Sequence, residues 1–537
     1  MINKISNELK KILEENKWDT SKISVSKNKN IEFGEFNTNI AFLLSKELRL
    51  NPMDLANEIV SKFNKKNLSY IKDIKVVNPG FINFYLNDKY YVDIVKTVVQ
   101  NKEYGKKVKN NITINVEFVS ANPTGFLHVA HARGAAFGDS LSNILDYAGY
   151  NVIREYYIND VGNQIDRLAI SIYTRYHQEL GVELEMPEDS YVGIDIIWGA
   201  KEIIKKYGNK FLNIPFENCV DEIKKISLEI MLSKIKKDLL ELGVEFDIWF
   251  SEKTLYENNL ITKQLNTLKG IYEKDGAKWL ETTKYGDDKD RVLVKADGTG
   301  TYFLSDTVYH NIKASREPKP QKLINVWGAD HIGYIKRVET ALLLQGYKSD
   351  ILTVITMQLV RLIKDGKEMK MSKRKGTSLF MSELVEQVGK DTTRFFLINR
   401  TNNSTIDFDI DLANLKTNDN PVFSIQYANA RIQKLIQNVN INYENDFKEL
   451  KYSETEYGII NLIDKFPQLI EEISQNYKIH LLAQYLIDLA KEYNSLYSNV
   501  KIIGSKREKE LLFLSIGCSN IFKIGLKLLG VSAPERM

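Results

Sequence analysis

The stretch ITINVEFVSANPTGFLHVAHARG, residues 112–134, decides the fold. Its first half alternates apolar and polar residues, as a β-strand does, and a Pro-Thr-Gly turn then leads into a helical pattern that runs to Gly149. The next segment, NVIREYYI at 151–158, again has the composition of a strand. Strand, tight turn, helix and strand make a βαβ unit, so the sequence predicts a parallel, Rossmann-like sheet.

Two of the six histidines of the chain, His128 and His131, lie three positions apart at the start of this predicted helix. A zinc site would need further ligands, and the HExxH pattern of zinc peptidases is missing. Two interpretations remain open: the imidazoles are packed in a core, or they donate hydrogen bonds to an anion. Position favours the anion, because a helix N-terminus behind a glycine turn presents unbonded backbone N–H groups.

Other nucleotide-binding patterns are incomplete. The nearest Walker A candidate, GADHIG at 328–333, is followed by Tyr334 where lysine is required, and Gly298 and Gly300 do not complete GxGxxG. Further along lies a basic stretch, KMSKRKGT at 370–377. A charge run alone usually predicts a solvated loop. Because this one follows HxxH within the same predicted domain, the two together indicate a phosphate-handling site.

Composition limits the class of protein. The 537 residues are 43% hydrophobic and 27% charged, as in soluble chains of several domains. The net charge of +4 is only mildly basic, so any nucleic-acid surface must be local. Cys219 and Cys518 are too far apart for a zinc pattern, and the apolar run at 511–530 is interrupted by lysines. We therefore expect a cytoplasmic protein without zinc and without a membrane span.

The remaining patterns divide the chain. We predict an N-terminal α+β domain over 1–105, a Rossmann-like domain over 106–375 with a helical insertion at about 170–290, a connecting segment over 376–410, and an all-α helical bundle over 411–537. Further strands are predicted at RVLVKA (291–296), TYFL (301–304), LINVW (323–327), ILTVITM (351–357) and QLVRLI (358–363). The expected fold class is multidomain α/β.

The two motifs, in this order, resemble the HIGH and KMSK signatures of class I aminoacyl-tRNA synthetases. Together with REYYINDVGNQ (154–164), YFLSDTVYH (302–310), WGADHIGY (327–334), IQYANAR (425–431) and LKLLGVSAPERM (526–537), they are similar to the arginyl-tRNA synthetases of bacterial type. The resemblance covers essentially the whole chain. One departure is Ala130, at a position where the pattern of the family commonly has glycine.

The resemblance implies a function. ATP, accompanied by Mg²⁺ and without zinc, would activate L-arginine as arginyl-adenylate, and the arginyl group would pass to the 3′-terminal adenosine of tRNA(Arg). The catalytic groups expected around the triphosphate are His128, His131, Lys370 and Lys373. The expected ATP contacts are His128, Ala130, His131, Asp330, His331, Met371, Ser372 and Lys373. Arginine is expected to bind Glu117, Asn122, Tyr302 and Asp306, because a guanidinium is best held by carboxylates.

Further contacts are implied in the same way. Asn159, Asp160 and Gln164 would line the cleft, although turn capping is an equal alternative for these three. The N-terminal domain over 1–105 would contact tRNA, and the helical bundle over 411–537 would bind the anticodon. On that bundle, Tyr427 and Arg431 would contact tRNA unless they serve only packing. We expect a monomer. The alternatives are a class I synthetase for another amino acid, a noncatalytic tRNA-binding relative, and an HxxH metal hydrolase.

Overall fold

The computed structural model describes residues 1–28, 30–64, 69–369, 379–437, 439, 447 and 450–537. In chain order, its helices are α1 (Ile2–Glu15), α2 (Ile40–Leu48), α3 (Pro52–Ser61), α4 (Asp88–Gln100), α5 (Val129–Tyr147), α6 (Asn163–Glu179), α7 (Ile194–Tyr207), α8 (Phe216–Glu241), α9 (Lys253–Glu257), α10 (Leu260–Leu265), α11 (Tyr302–Ser315), α12 (Ile335–Leu344), α13 (Met381–Val388), α14 (Lys390–Ile398), α15 (Ile410–Asn414), α16 (Pro421–Ile436), α17 (Glu454–Asn476), α18 (His480–Asn499) and α19 (Glu508–Leu528).

The strands are β1 (Val25–Lys27), β2 (Phe36–Thr38), β3 (Ile71–Val77), β4 (Phe81–Leu86), β5 (Thr113–Glu117), β6 (Asn151–Ile158), β7 (Ile248–Ser251), β8 (Ile271–Lys274), β9 (Ala277–Leu280), β10 (Arg291–Val294), β11 (Lys322–Gly328), β12 (Leu352–Met357), β13 (Val360–Lys364), β14 (Lys367–Glu368) and β15 (Ile406–Asp409). Short 3-10 helices lie at Thr20–Lys22, Ile31–Phe33, Thr282–Tyr285 and Ala329–Tyr334.

The chain divides into two compact units. The first consists of Met1–Lys102, Asn438–Asp464 and Leu496–Gly517. Its N-terminal part is the predicted α+β domain: an antiparallel sheet in the order β1-β2-β4-β3 with helices α1 to α4. Helix α1 forms because apolar residues recur at helical spacing, and Ile5 and Leu9 are completely buried.

The second unit consists of Glu103–Gln437, Lys465–Ser495 and Cys518–Met537. At its centre is a five-stranded sheet in the order β12-β11-β5-β6-β7, in which every pairing is parallel. The central strand β5 is buried along its whole length and leads through the Pro-Thr-Gly turn into α5. The predicted Rossmann-like sheet is therefore confirmed, and ligands of such sheets bind at the carboxyl ends of the strands.

Several local predictions were wrong. TYFL begins helix α11 instead of forming a strand. Strand β7, which is part of the parallel sheet, lies inside the stretch predicted as a helical insertion, and so do β8 and β9. RVLVKA and QLVRLI do form strands as predicted, β10 and β13, but neither belongs to the parallel sheet: β10 pairs in the antiparallel sheet β10-β9-β8, and β13 in a separate sheet with β14 and β15. The helical part of the insertion is α6, α7 and α8, which share one apolar core.

Two buried arginines fix α5. Arg133 donates through Nη1 to the carbonyl of Gln358 at 2.6 Å and through Nη2 to the carbonyl of Thr401 at 2.9 Å. Nearer the end of the helix, Asp139 forms an ion pair of 2.5 Å with Arg394 of α14. Because neither guanidinium is solvated, these contacts hold the helix rigidly against its neighbours.

Helix α19 is long and apolar enough to cross a membrane, but 83% of its most apolar window is buried inside the protein. That burial is typical of the core helix of a folded domain. The two cysteines are free thiols and are both buried.

Candidate active site

The HxxH sequence forms the first turn of α5. His128 is the N-cap residue, with extended backbone angles, and its backbone N–H donates to Nδ1 of His131 at 3.3 Å. The two imidazole rings stack with their centroids 3.8 Å apart. This geometry places both rings at the positive end of the helix dipole, where an anion is stabilised.

A cavity of about 270 Å³ opens beside these rings. It is lined by Asn122, Thr124, Gly125, Phe126, His128, His131, Tyr191, Val192, Gly193, Ile194, Asp195 and Phe380. The Tyr191–Asp195 wall comes from the loop before α7 and was not predicted. A side chain at Gly125 would meet the Asp195 carboxylate, which would have to move to make room for it. Ala130 is exposed and is not among the lining residues.

The second predicted motif, with Lys370, Met371, Ser372 and Lys373, lies outside the described residues. The chain that follows it is described. Phe380, seven residues after Lys373, pairs with His128 in an antiparallel β-bridge. Next to this pair, the backbone N–H of Met381 donates to the carbonyl of Leu127 at 2.8 Å. The chain thus returns to the HxxH turn directly after the basic motif.

Between β5 and the HxxH turn the backbone is strained. Val119 and Ser120 have positive φ values of 68° and 41°. For a β-branched residue such as valine this left-handed conformation costs about 1–3 kcal/mol. Ser120 compensates in part, because its Oγ accepts a hydrogen bond from the backbone N–H of Tyr157 at 3.2 Å. Strain of this kind is typical of functional sites, and both residues line a second cavity.

The second cavity has a volume of about 430 Å³ and lies at the carboxyl ends of the central strands. Its lining includes three carboxylates from separate elements: the buried Glu117 at the end of β5, the buried Glu252 directly after β7, and the half-buried Asp306 in the second turn of α11. Asn122 lines this cavity and the HxxH cavity alike. The two cavities therefore adjoin.

The three carboxylates differ in their electrostatics. Burial, reinforced by the nearby carboxylates of Glu117 and Glu252, raises the pKa of Asp306 to about 7. Burial also raises the pKa of Glu252. Burial opposes ionisation of Glu117 as well, but the ammonium of Lys313, 2.5 Å away, outweighs it and lowers the pKa of that carboxyl. Three acidic groups are thus accompanied by a single ammonium, that of Lys313. This excess of acidic groups suits a cationic ligand.

Other predicted residues lie around this cavity. Tyr302 is 81% exposed at the start of α11 and stands on the rim. Asn159, after β6, and His331, after β11, also line the cavity. Asn122, Glu117 and Asp306 complete the predicted residues that the structure brings together here.

Three predicted contacts lie elsewhere. Asp160 accepts hydrogen bonds from Ser251 Oγ at 2.5 Å and from the backbone N–H of Lys253 at 3.0 Å, which joins two loops. Gln164 donates to the carbonyl of Asn159 at 3.0 Å, a local turn contact. Asp330 is exposed and lines neither cavity.

The predicted tRNA contacts share one face of α16. The guanidinium of Arg431 lies 4.5 Å from the ring centroid of Tyr427, a cation–π geometry. On its other side Tyr427 stacks with Phe423, with centroids 5.6 Å apart. The three side chains form a half-buried row of π-systems along the helix.

Within the described residues there is no group of three or more His, Cys, Asp or Glu side chains that could hold a metal ion. Sequence reasoning missed Glu252, which lines the acidic cavity, and Lys313, which pairs with Glu117 behind the lining. Glu252 had a usable signal, because the run IWFS before it has the aromatic and apolar composition of a strand. Lys313 had none, since a lysine in the last turn of a helix is ordinarily a surface residue.

Three family models together match all of the chain except residues 87–92. The N-terminal domain of arginyl-tRNA synthetases matches residues 1–86, the catalytic domain of class I (R) tRNA synthetases matches residues 93–447, and the DALR anticodon-binding domain matches residues 425–537. The chain belongs to the arginyl-tRNA synthetase family. The resemblance drawn from the motifs is thereby confirmed.

Curated relatives agree with this assignment. The arginine–tRNA ligase of Mycoplasma mobile is 47% identical, over 94% of this chain and 94% of the relative. That of Bacillus subtilis is 44% identical, over 94% of this chain and 92% of the relative. The Thermus thermophilus arginyl-tRNA synthetase structure is only 20% identical but has the same fold, with a TM-score of 0.77 over 99% of both chains.

Proposed function

We propose that the protein is an arginine–tRNA ligase that activates L-arginine with ATP and transfers it to the 3′-terminal adenosine of tRNA(Arg). The observation that carries the proposal is the pair of adjoining cavities that share Asn122. One offers imidazoles at a helix N-terminus and suits a triphosphate. The other offers buried carboxylates and suits a guanidinium.

Arginine is the substrate that best matches the acidic cavity. A guanidinium stays charged at every relevant pH and presents five donors in a planar fork, whereas an ammonium is a compact point charge. Asp306 and Glu117 are proposed to hold it, with Glu252 as a third carboxylate. Tyr302 covers the mouth of the cavity, and Asn122 orients the α-amino and carboxylate groups towards the HxxH cavity.

In the first chemical step, an oxygen of the arginine carboxylate attacks the α-phosphorus of ATP. The bond between the α-phosphorus and the bridging oxygen breaks, and pyrophosphate leaves. His128 and His131 donate to phosphate oxygens as charge moves onto pyrophosphate, and Lys370 and Lys373 neutralise that charge with Mg²⁺ carried by ATP. No protein nucleophile is needed, because positioning and charge stabilisation are sufficient.

In the second step, a ribose hydroxyl of the terminal adenosine attacks the arginyl carbonyl and AMP leaves. Tyr427 and Arg431 are proposed to meet anticodon bases, where a ring and a guanidinium offer stacking surfaces. His331, which borders the acidic cavity at the carboxyl end of β11, and the adjacent Asp330 are proposed to contact ATP from that side. We propose that the enzyme works as a monomer in the cytoplasm, since both cavities are built by a single chain and both cysteines are free.

ATP–pyrophosphate exchange with each standard amino acid, with and without tRNA, tests the proposal. Among the standard amino acids, only arginine should support exchange, and only arginine should be attached to tRNA. Lys370→Ala and Lys373→Ala should each lower exchange roughly 100-fold. Exchange with another amino acid but not with arginine would overturn the substrate. Absence of exchange under every condition would favour a noncatalytic tRNA-binding protein.

A further inference from the structure

Lys313 is a lysine with no contact to solvent, in the last turn of α11. One face of α11 borders the acidic cavity. Helical spacing of three or four residues places Asp306, Tyr309, His310 and Lys313 on this face. Lys313 itself is not among the lining residues. It lies behind them.

The ammonium of Lys313 contacts two acceptors on separate strands. It donates to Oε2 of Glu117 at 2.5 Å and to Oδ1 of Asn325 at 2.8 Å. Tyr309 donates its hydroxyl to the same Oε2 at 3.0 Å. Oε2 of Glu117 is therefore bound by two buried donors, and Oε1 accepts a hydrogen bond from Ser120 Oγ at 3.4 Å, so the carboxylate is held in a single orientation.

A second branch runs through Asn325. Because its Oδ1 accepts from Lys313, its Nδ2 donates, and the partner is Nε2 of His310 at 2.8 Å. His310 then carries its proton on Nδ1 and donates it to the carbonyl of Asp306 at 2.8 Å. Every donor in this chain meets an acceptor, so the ammonium fixes the tautomer of His310.

We propose that Lys313 is a positioning residue for arginine recognition, which orients the carboxylate of Glu117 directly and the backbone at Asp306 through Asn325 and His310. This inference rests on the proposed function. Lys313 touches no substrate and acts only through these neighbours. Without its charge, Glu117 would face Asp306 and Glu252 with no internal cation nearby, and the three acids would compete for protons instead of for the guanidinium.

Burial keeps His310 neutral, and the same ammonium adds to that effect. Burial, together with the charge of Lys313, lowers the pKa of His310 to about 4. A neutral ring is required, because only a ring with an unprotonated Nε2 can accept from Asn325.

Lys313→Met tests the inference. The arginine KM should rise roughly 10–100-fold while the ATP KM changes less than about twofold. The control is Lys322→Met, which removes a partly buried ammonium from β11, the strand that carries Asn325; Lys322 donates only to the carbonyl of Asp350. It should leave both KM values unchanged. Equal rises of both KM values in Lys313→Met, or no change in the arginine KM, would show that Lys313 only supports folding.

The double variant Glu117→Gln/Lys313→Met keeps the test decisive if Lys313→Met alone fails to fold, because it buries no unpaired charge. Its arginine KM should exceed that of Glu117→Gln by less than about fivefold, because only the branch through Asn325 and His310 remains to be lost. A further loss of about tenfold or more would mean that Lys313 does not act mainly through Glu117. Imidazole ¹⁵N shifts give an independent reading: His310 should be an Nδ1–H tautomer in the wild type and lose that preference in the double variant.

Failures of the two proposals look different. If the wild type activates arginine but the variants leave the arginine KM and the His310 tautomer unchanged, this inference falls and the proposed function stands. If the wild type activates another amino acid, both fall.

Discussion

Nδ1 of His131 accepts a hydrogen bond from the backbone N–H of His128 at 3.3 Å. An accepting Nδ1 requires the ring proton to be on Nε2. His131 occupies the third helical position of α5, where Glu or Gln commonly makes the same reciprocal contact. One imidazole thus has two separable roles: it caps the helix and it presents a donor at the proposed phosphate site.

Substitutions can separate these roles. His131→Gln keeps a side chain that can cap the helix, whereas His131→Ala removes the cap as well. Both should lower ATP–pyrophosphate exchange by roughly 10²–10³-fold. Only His131→Ala should lose about 1 kcal/mol of stability. Exchange kinetics and thermal melting of both variants provide the measurement, and near-normal exchange in His131→Gln would remove the imidazole from the chemistry.

Arginine binding should depend on pH through Asp306. The pKa of this carboxyl is raised to about 7 in the free protein, and only the ionised form attracts a guanidinium. The arginine KM should therefore fall about tenfold between pH 6 and pH 8. The ATP KM, measured in the same assays, is the control. A flat arginine profile would mean that Asp306 does not meet the guanidinium.

The same pKa makes a prediction about stability. Since the folded-state pKa of Asp306 lies above the unfolded value near 3.8, the folded protein binds more protons between these limits. The stability contribution of this group is present at low pH and is lost as pH rises through about 7. At pH 8, Asp306→Asn should thus stabilise the free protein by about 2 kcal/mol while raising the arginine KM far more than the ATP KM. Unchanged melting at pH 8 would contradict the raised pKa.

Glu252 provides a second test of the acidic cavity. Its carboxylate is one of the causes that raise the pKa of Asp306. Glu252→Gln should therefore move the pH dependence of the arginine KM to lower pH. At pH 8 the same variant should still bind arginine roughly 10–100-fold more weakly, because one carboxylate partner is missing. If the arginine KM rises but its pH dependence does not shift, Glu252 contributes to arginine binding without influencing the pKa of Asp306.

Much of the fold could be predicted from local pattern. Strand β6 has the predicted bounds, 151–158, because its β-branched and aromatic residues are flanked by a glycine turn on one side and a polar loop on the other. TYFL shows the limit of such patterns. Its aromatic residues favour a strand. In the structure, however, Phe303, Leu304 and Val308 pack on one side of α11, and this packing stabilises the helix.

The site was predictable where a motif marked it. HxxH was marked by its position after a strand and a glycine turn, whereas Glu117 and Asp306 came from the family resemblance. The structure brings both carboxylates into one cavity. Lys313 could not be found in this way, because its role depends on a strand that lies next to α11 only in three dimensions. The wall at Tyr191–Asp195 likewise comes from a long insertion whose path no local pattern specifies.

A substitution at Gly530 tests whether the chain after α19 stabilises α5. It has a φ of +67°, and a Cβ there would collide with the guanidinium of Arg394. That guanidinium donates to the carbonyl of Leu529 at 2.9 Å and pairs with Asp139 of α5 at 2.5 Å. Gly530→Ala should therefore cost about 3 kcal/mol, since it adds left-handed strain and also disturbs a buried ion pair.

The matched control is Gly181→Ala, which has a φ of +87° with nothing within 4 Å of the added Cβ. This substitution should lower the free energy of unfolding only by the cost of the left-handed strain, about 1 kcal/mol. Melting temperatures of the two variants measure the difference. Because α5 carries His128, Gly530→Ala should also raise the ATP KM, and Gly181→Ala should not. Equal destabilisation by the two substitutions would mean that Arg394 adjusts freely, and that α5 does not depend on this contact with the end of the chain.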